Sequence, residues 1–315
     1  VTFMWLLRLS VYIISRRCVL IQLQMTARGH DTGNNLFQYV IARIFAEEKG
    51  WPLKCSDALG IGSGELFKNT YGWETRSPPW KLDPKGDGTG DSWNHVGGNK
   101  VDIEKILRTD PRSIAVHGFF QYYPQYIPYK ERIREWLHVD DIETDMSPSD
   151  LTIHVRLTDF CENNFDFSFE DYMHYIKEIN PTNVNIITDD RCNCDKCLMQ
   201  DVEWQCDEGV NKKFLRRKPQ FDHQHITIRK LQSEGMTVRK ESYSDEQSFR
   251  FLKSSPQILM PHSTFSWWAG FLGKGKIYCG FSRGSGYWSL DPTEGGSLAD
   301  PVNLLITDED RFITL

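Results

Sequence analysis

Gln257-Ile-Leu-Met-Pro-His-Ser-Thr-Phe-Ser-Trp-Trp-Ala-Gly-Phe-Leu272 decides how this chain is read. Four residues of apolar, β-compatible character (Gln257–Met260) run into a turn at Pro261. A hydroxyl-rich stretch follows, and from Ser266 to Leu272 the side chains suit a helix. Ser263, Thr264 and Ser266 sit where a helix begins, so they offer side-chain caps beside backbone N–H groups that have no intrahelical partner. That combination is an anion site in the making. Trp267 and Trp268 read as packing groups, and Gly270 as a point of close approach to a neighbouring element.

The same strand-then-helix alternation extends in both directions. Cys18–Gln24 reads as a first strand, and Leu36, Phe37, Val40, Ile41, Ile44 and Phe45 fall at helical spacing before Gly50. Ile114–Phe120 reads as a strand and Tyr126–Leu137 as a helix. The polar Asp140–Asp150 stretch, containing Pro148, reads as a linker. Beyond it come strand Leu151–Val155, helix Phe169–Ile179, strand Asn183–Thr188, helix Gln224–Glu234, strand Met236–Lys240, helix Glu246–Lys253 and strand Lys276–Gly280. Residues 60–100, rich in Gly, Pro, Asn, Asp and Trp, read as long loops. The pattern is that of parallel sheets with crossover helices. It predicts an α/β protein with an N-terminal domain at 21–145 and a C-terminal domain at 146–315, two Rossmann-like units with a cleft between them. Residues 1–20 read as a leader or anchor-like segment; Arg8, Arg16 and Arg17 interrupt it short of the roughly 20 apolar residues of a full span.

Composition narrows the partners. A chain of 315 residues with 39% hydrophobic and 25% charged residues can bury a sizeable core. A formal net charge of −6 excludes a broad nucleic-acid surface while allowing one local basic pocket. Ten tryptophans contribute to a high aromatic content of 13%, useful against sugar rings as well as in a core. Eight cysteines are too few for a disulfide scaffold of this length. Four of them, Cys192, Cys194, Cys197 and Cys206, crowd into an insertion at 191–222. A structural zinc site, two disulfides and free thiols are all compatible with that spacing. No Asn-x-Ser/Thr acceptor occurs in the chain, which disfavours a secretory location.

The second chemical landmark is His154-Val-Arg-Leu-Thr-Asp-Phe160. Arg156 follows a strand end, where side chains of parallel sheets meet ligands, and its planar fork pairs phosphate oxygens. Asp159 is placed to orient that arginine or hold a sugar hydroxyl. His154 shares a strand face with Arg156 because residues i and i+2 do.

These motifs together resemble the α1,2-fucosyltransferase family, whose members carry H-V-R-R-G-D-Y and S-S-F-S-W-W-A-A-W-L. Gly33-Asn-Asn-Leu-Phe-Gln-Tyr39 resembles the family's G-N-Q-L-F-Q-Y, His117-Gly-Phe-Phe-Gln121 its G-Y-F-Q, and Thr188-Asp189-Asp190 its S-D-D. The resemblance spans about residues 20 to 280 in the family's order. It implies a two-domain GT-B fold, GDP-fucose as donor, an oligosaccharide acceptor with a galactose-type hydroxyl, inverting transfer and no catalytic metal. On that footing Arg156, Asp189, Ser263, Thr264, Ser266 and Asn34 are candidate donor contacts. Arg156, Asp159, His154 and Asp31 are candidate catalytic groups, with His30 a further candidate base. Leu157 and Thr158 stand where the family has Arg and Gly, which removes one cation near the leaving diphosphate. Asp31 would repel a phosphate, so the loop before Gly33 is assigned to the sugar or acceptor side. Two other readings remain: a related transferase with another donor or a protein acceptor, and an inactive glycan- or nucleotide-sugar-binding protein. The compartment would be the Golgi or another secretory lumen in a eukaryote and the cytoplasm in a bacterium or virus.

Overall fold

The computed structural model describes residues 20–23, 32–50, 53–55, 94–108, 113–156, 167–188, 226–239, 245–261, 263–279 and 303–315. The chain divides into two units, Val1–His138 with Asp300–Val302, and Val139–Ala299 with Asn303–Leu315.

In the first unit the elements run β1 (Leu20–Leu23), α1 (Thr32–Lys49), β2 (Leu53–Cys55), β3 (Asn94–Gly97), α2 (Ile103–Arg108), β4 (Ser113–His117), a 3-10 helix (Tyr123–Tyr129) and α3 (Lys130–Trp136). The strands form one sheet in the order β2-β1-β4-β3, every pair parallel. Helix α1 is buried from Thr32 to Ala46 except at Asn34, with polar Asn35, Gln38 and Arg43 among its buried residues. It stops at Gly50, whose φ of 65° is a left-handed value that glycine adopts without steric cost. Near that end Arg43 is buried, yet its guanidinium is satisfied by Glu47, by the Tyr39 hydroxyl at 3.0 Å and by the Trp136 ring 4.6 Å from Cζ.

The segment read as one helix, Tyr126–Leu137, is divided. Pro124 and Pro128 lack the N–H that an α-helix would use, and the chain takes the tighter 3-10 form before α3 begins at Lys130. Strand β3 lies inside the 60–100 stretch read as loop. Asn-His-Val-Gly has little strand propensity of its own, and it pairs on one side only, with β4.

In the second unit the order is β5 (Leu151–Val155), α4 (Phe169–Ile179), β6 (Val184–Thr188), α5 (Ile226–Ser233), β7 (Thr237–Val238), α6 (Asp245–Ser254), β8 (Gln257–Met260), α7 (Thr264–Leu272), β9 (Lys276–Cys279) and β10 (Phe312–Thr314). These strands make an all-parallel sheet, β10-β9-β8-β5-β6-β7. Strands β5 and β6 are buried at every position, the mark of central parallel strands covered on both faces. Leu151, Ile153, Val155, Ile186 and Leu259 from the sheet pack with Tyr172 and Ile176 of α4 and with Ile228 and Leu231 of α5.

Local signals account for the helix ends. Ser168 and Asp171 form a reciprocal capping box at the start of α4, and Asn180 closes it in a left-handed conformation at φ 54°. At the other end of the fold, Trp267 stacks on Phe271 with ring centroids 5.2 Å apart and donates its indole N–H to the Leu304 carbonyl at 2.7 Å. Trp267 and Trp268 are thus core. Gly270 faces Ile277 of β9, which a Cβ would meet at 3.2 Å. The α/β, GT-B-like composition read from the sequence is present as two parallel-sheet, Rossmann-like units in series.

Candidate functional site

Strand order locates the site in the second unit. From β5 the chain proceeds outward through β6 and β7, then returns to lay β8 on the other side of β5 and continues outward through β9 and β10. The order therefore reverses between β5 and β8. At such a switch point the loops leaving the two carboxyl ends diverge and open a crevice in the sheet edge, the usual ligand position in open α/β folds. The residues leaving β5 begin with Arg156. Those leaving β8 are Pro261, His262 and Ser263, followed directly by α7. The two motifs singled out in the sequence thus meet because of strand order.

Arg156 is partly exposed there. Ser263 is the N-cap residue of α7, with extended backbone, and is 1% exposed. Its hydroxyl makes no cap hydrogen bond and has no partner among the described residues. This corrects the reading of Ser263, Thr264 and Ser266 as side-chain caps. Helix α7 starts two residues earlier than expected, so Thr264 is its first residue and Ser266 lies inside it. The Ser266 hydroxyl is wholly buried and hydrogen-bonded to His154 Nδ1, across 112 residues of sequence. His154 is itself buried and packs its ring against Phe265 at 5.5 Å. His154 and Ser266 accordingly tie the end of β5 to the first turn of α7. No acidic residue occupies that first turn, where one would offset the partial positive charge of the helix end.

A buried hydroxyl without a partner costs about 1–3 kcal/mol. Placed at a helix N-terminus that follows the strand next to β5, it suits an anionic oxygen, toward which the hydroxyl and backbone N–H groups can donate.

A corresponding arrangement occurs in the first unit. Its strand order reverses between β1 and β4, and there the Gly33–Tyr39 motif at the start of α1 meets the His117–Gln121 motif after β4. Gln121 Nε2 donates to Asn34 Oδ1 at 2.8 Å, and Gln38 Nε2 donates to the Gly118 carbonyl at 2.8 Å. Gln38 and Gln121 were not among the residues singled out from the sequence. Both lie inside motifs already quoted, Gln38 in Gly33–Tyr39 and Gln121 in His117–Gln121, and the i+4 spacing of Gln38 from Asn34 puts those two on one helix face.

Asp31, Asp159, Asp189 and the four cysteines Cys192, Cys194, Cys197 and Cys206 lie outside the described residues, as do His30, Leu157 and Thr158. No helix among the described residues is long and apolar enough to cross a membrane.

No protein-family model and no curated protein matches the chain. Among solved structures, it is similar to a mutant of Arabidopsis thaliana FUT1 in complex with GDP, at 10% sequence identity and a TM-score of 0.46, over 86% of this chain and 73% of that one. Similarity of that extent assigns neither activity nor substrate.

Proposed function

We propose that the chain is an inverting glycosyltransferase that moves L-fucose from GDP-fucose to a galactose-type hydroxyl of a glycan, forming an α1,2 linkage. The observation that carries this reading is the anion-competent end of α7 beside Arg156 at the switch point of the second sheet. The five family motifs supply the identity of the sugar nucleotide.

In this reading the second unit binds the donor. Arg156 pairs the diphosphate, and the Ser263 hydroxyl, Thr264 and the first N–H groups of α7 donate to it. As the bond from fucose C1 to the phosphate oxygen breaks, negative charge grows on that oxygen. Donors already in place stabilise the charge without having to reorganise. The acceptor hydroxyl attacks C1 from the opposite face, which inverts the configuration, and a base takes its proton. Asp31, His30 and Asp159 are the candidates for that base, which contributes about 10²–10⁴-fold. Asp189 is assigned to the guanine or ribose. His154 and Ser266 act by holding α7 against β5, since their facing atoms are committed to each other.

The test is an assay of free GDP and fucosylated product with GDP-fucose and β-galactosides, using the parent chain and Arg156→Ala. The expected outcome is product from the parent, none from the variant, and matching melting curves. A fully active variant removes Arg156 from the site. GDP binding without turnover by the parent supports the reading of an inactive sugar-nucleotide-binding protein, and turnover only with a different donor or a protein acceptor supports the related transferase.

A further inference from the structure

Helix α7 carries no side-chain cap of its own at either end. Ser263 makes no cap bond, no basic residue lies in the last turn, and the C-cap Gly273 has extended backbone. The segment 303–312 supplies what the helix lacks. Arg311 Nη1 donates to the Gly270 carbonyl at 2.9 Å and to the Gly275 carbonyl at 3.3 Å, and Nη2 donates to the Phe271 carbonyl at 3.1 Å. A cation at these carbonyls suits the negative end of the helix dipole. The guanidinium is itself held in place. Its Nε donates to Glu309 at 2.7 Å, and its Cζ lies 4.5 Å from the centre of the Phe312 ring. The Arg311 carbonyl accepts from the Ile277 amide at 2.7 Å, which ties the same residue to β9.

These contacts continue along one face of α7 to its first turn. Phe271, whose carbonyl Arg311 holds, stacks almost parallel on Trp267. Trp267 donates its indole N–H to the Leu304 carbonyl of the same segment, and its amide to the Ser263 carbonyl at 2.9 Å. Residues 263, 267 and 271 follow one another at i+4 spacing and so form one row on the helix. The row ends on Ser263, whose buried hydroxyl has no partner among the described residues. It is about 12 Å long at the rise of an α-helix. With Glu309 against it, the charge of Arg311 adds little over that distance in water and salt. What reaches Ser263 is the position of the helix.

We propose that the segment 303–312 is a brace for α7 and that Arg311 is a positioning residue of the anion site at Ser263. Leu304 holds the row at its middle and Arg311 at its far end, so that the first turn keeps its unpartnered hydroxyl and N–H groups presented to an anionic oxygen. This rests on the reading of that turn as the diphosphate site, and adds to it a residue that touches no ligand.

The experiment combines hydrogen exchange, read by NMR on the ligand-free whole chain, with calorimetric titration of GDP well below the melting temperature. The variants are Arg311→Ala, Arg311→Lys, Ser263→Ala and the double variant Arg311→Ala with Ser263→Ala. In Arg311→Ala, protection of the Trp267 amide and indole should fall by a larger factor than that of Ile153 and Ile186 in the central strands. A merely structural role lowers all of them by one common factor, since each then exchanges through global opening. GDP affinity should fall about fivefold, and by less than about twofold when Ser263 is already alanine, because the two residues act through one row. Arg311→Lys keeps the charge and loses the fork, so it should lie between parent and alanine; it carries the test if the alanine variant does not fold. A common loss of protection overturns the brace, as does GDP affinity equal to the parent's in both Arg311 variants or an undiminished loss in the double variant. A parent that does not bind GDP removes the donor reading, and the pattern of exchange then decides the brace alone.

Discussion

Replacing Ser263 with alanine separates a ligand site from a structural one, because the two roles move stability in opposite directions. Alanine at a helix N-cap ordinarily costs about 1 kcal/mol, since a side-chain hydrogen bond to the first turn is lost. Ser263 makes no such bond, so that loss does not apply. What the substitution removes is a buried hydroxyl with no partner among the described residues, a desolvation cost of about 1–3 kcal/mol. The ligand-free protein should therefore hold its stability or gain about 1 kcal/mol, a rise of roughly 2 °C in Tm. GDP should suffer. A hydrogen bond to a charged oxygen contributes about 1.5–3 kcal/mol, so affinity should fall by roughly tenfold or more. Calorimetric melts read both effects together. At a GDP concentration of about 100 times the parent's Kd, the parent gains about 2.7 kcal/mol from binding, and a variant bound tenfold more weakly gains about 1.4 kcal/mol. A variant that melts lower than the parent without GDP, yet binds GDP as tightly, would refute the reasoning and make Ser263 a structural cap.

Two further expectations concern the scaffold. Gly118→Ala should destabilise the first unit by several kcal/mol, because its Cβ would stand 2.5 Å from the Gly98 carbonyl oxygen and 2.6 Å from the Gly98 nitrogen, both backbone atoms with little room to move; denaturant melts give the number. Asp141 is held below its usual carboxylate range, first by its hydrogen bond from Lys253 and also by Lys274. Its folded pKa lies below its unfolded one, so its contribution is present above the unfolded value near 3.8 and is lost as pH falls through the folded value. Asp141→Asn should flatten the acid side of the stability profile, measured by urea melts below pH 5, and an unchanged profile would remove the ion pair from the account.

The elements read most accurately from sequence are those whose signals are local. Leu151–Val155, Phe169–Ile179 and Gln257–Met260 were placed to the residue. For the two strands the run is short, rich in Ile, Leu and Val, and bounded by turn residues such as Pro148, Pro256 and Pro261. For the helix, Ser168 and Asp171 mark the start within one turn. Strands β2 and β3 were missed because three or four residues of mixed character become a strand only when a distant partner supplies the hydrogen bonds. The start of α7 was misplaced for a related reason: Ser266 looks like a cap when its neighbours alone are considered.

What the sequence by itself determined is the α/β alternation, the chemistry of Arg156 and the Ser263–Trp268 stretch, and their attachment to strand ends. Those follow from hydrophobic period, capping chemistry and side-chain type, all expressed over a few residues. What only the tertiary structure decided is which strand ends are neighbours. Strand order put β5 beside β8 and β1 beside β4, and so brought together motifs separated by about a hundred residues. It also turned His154 onto Ser266, 112 residues away, and Gln121 onto Asn34, 87 residues away. Such partners are chosen by the packing of a whole sheet and its helices, a property no local stretch of chain carries.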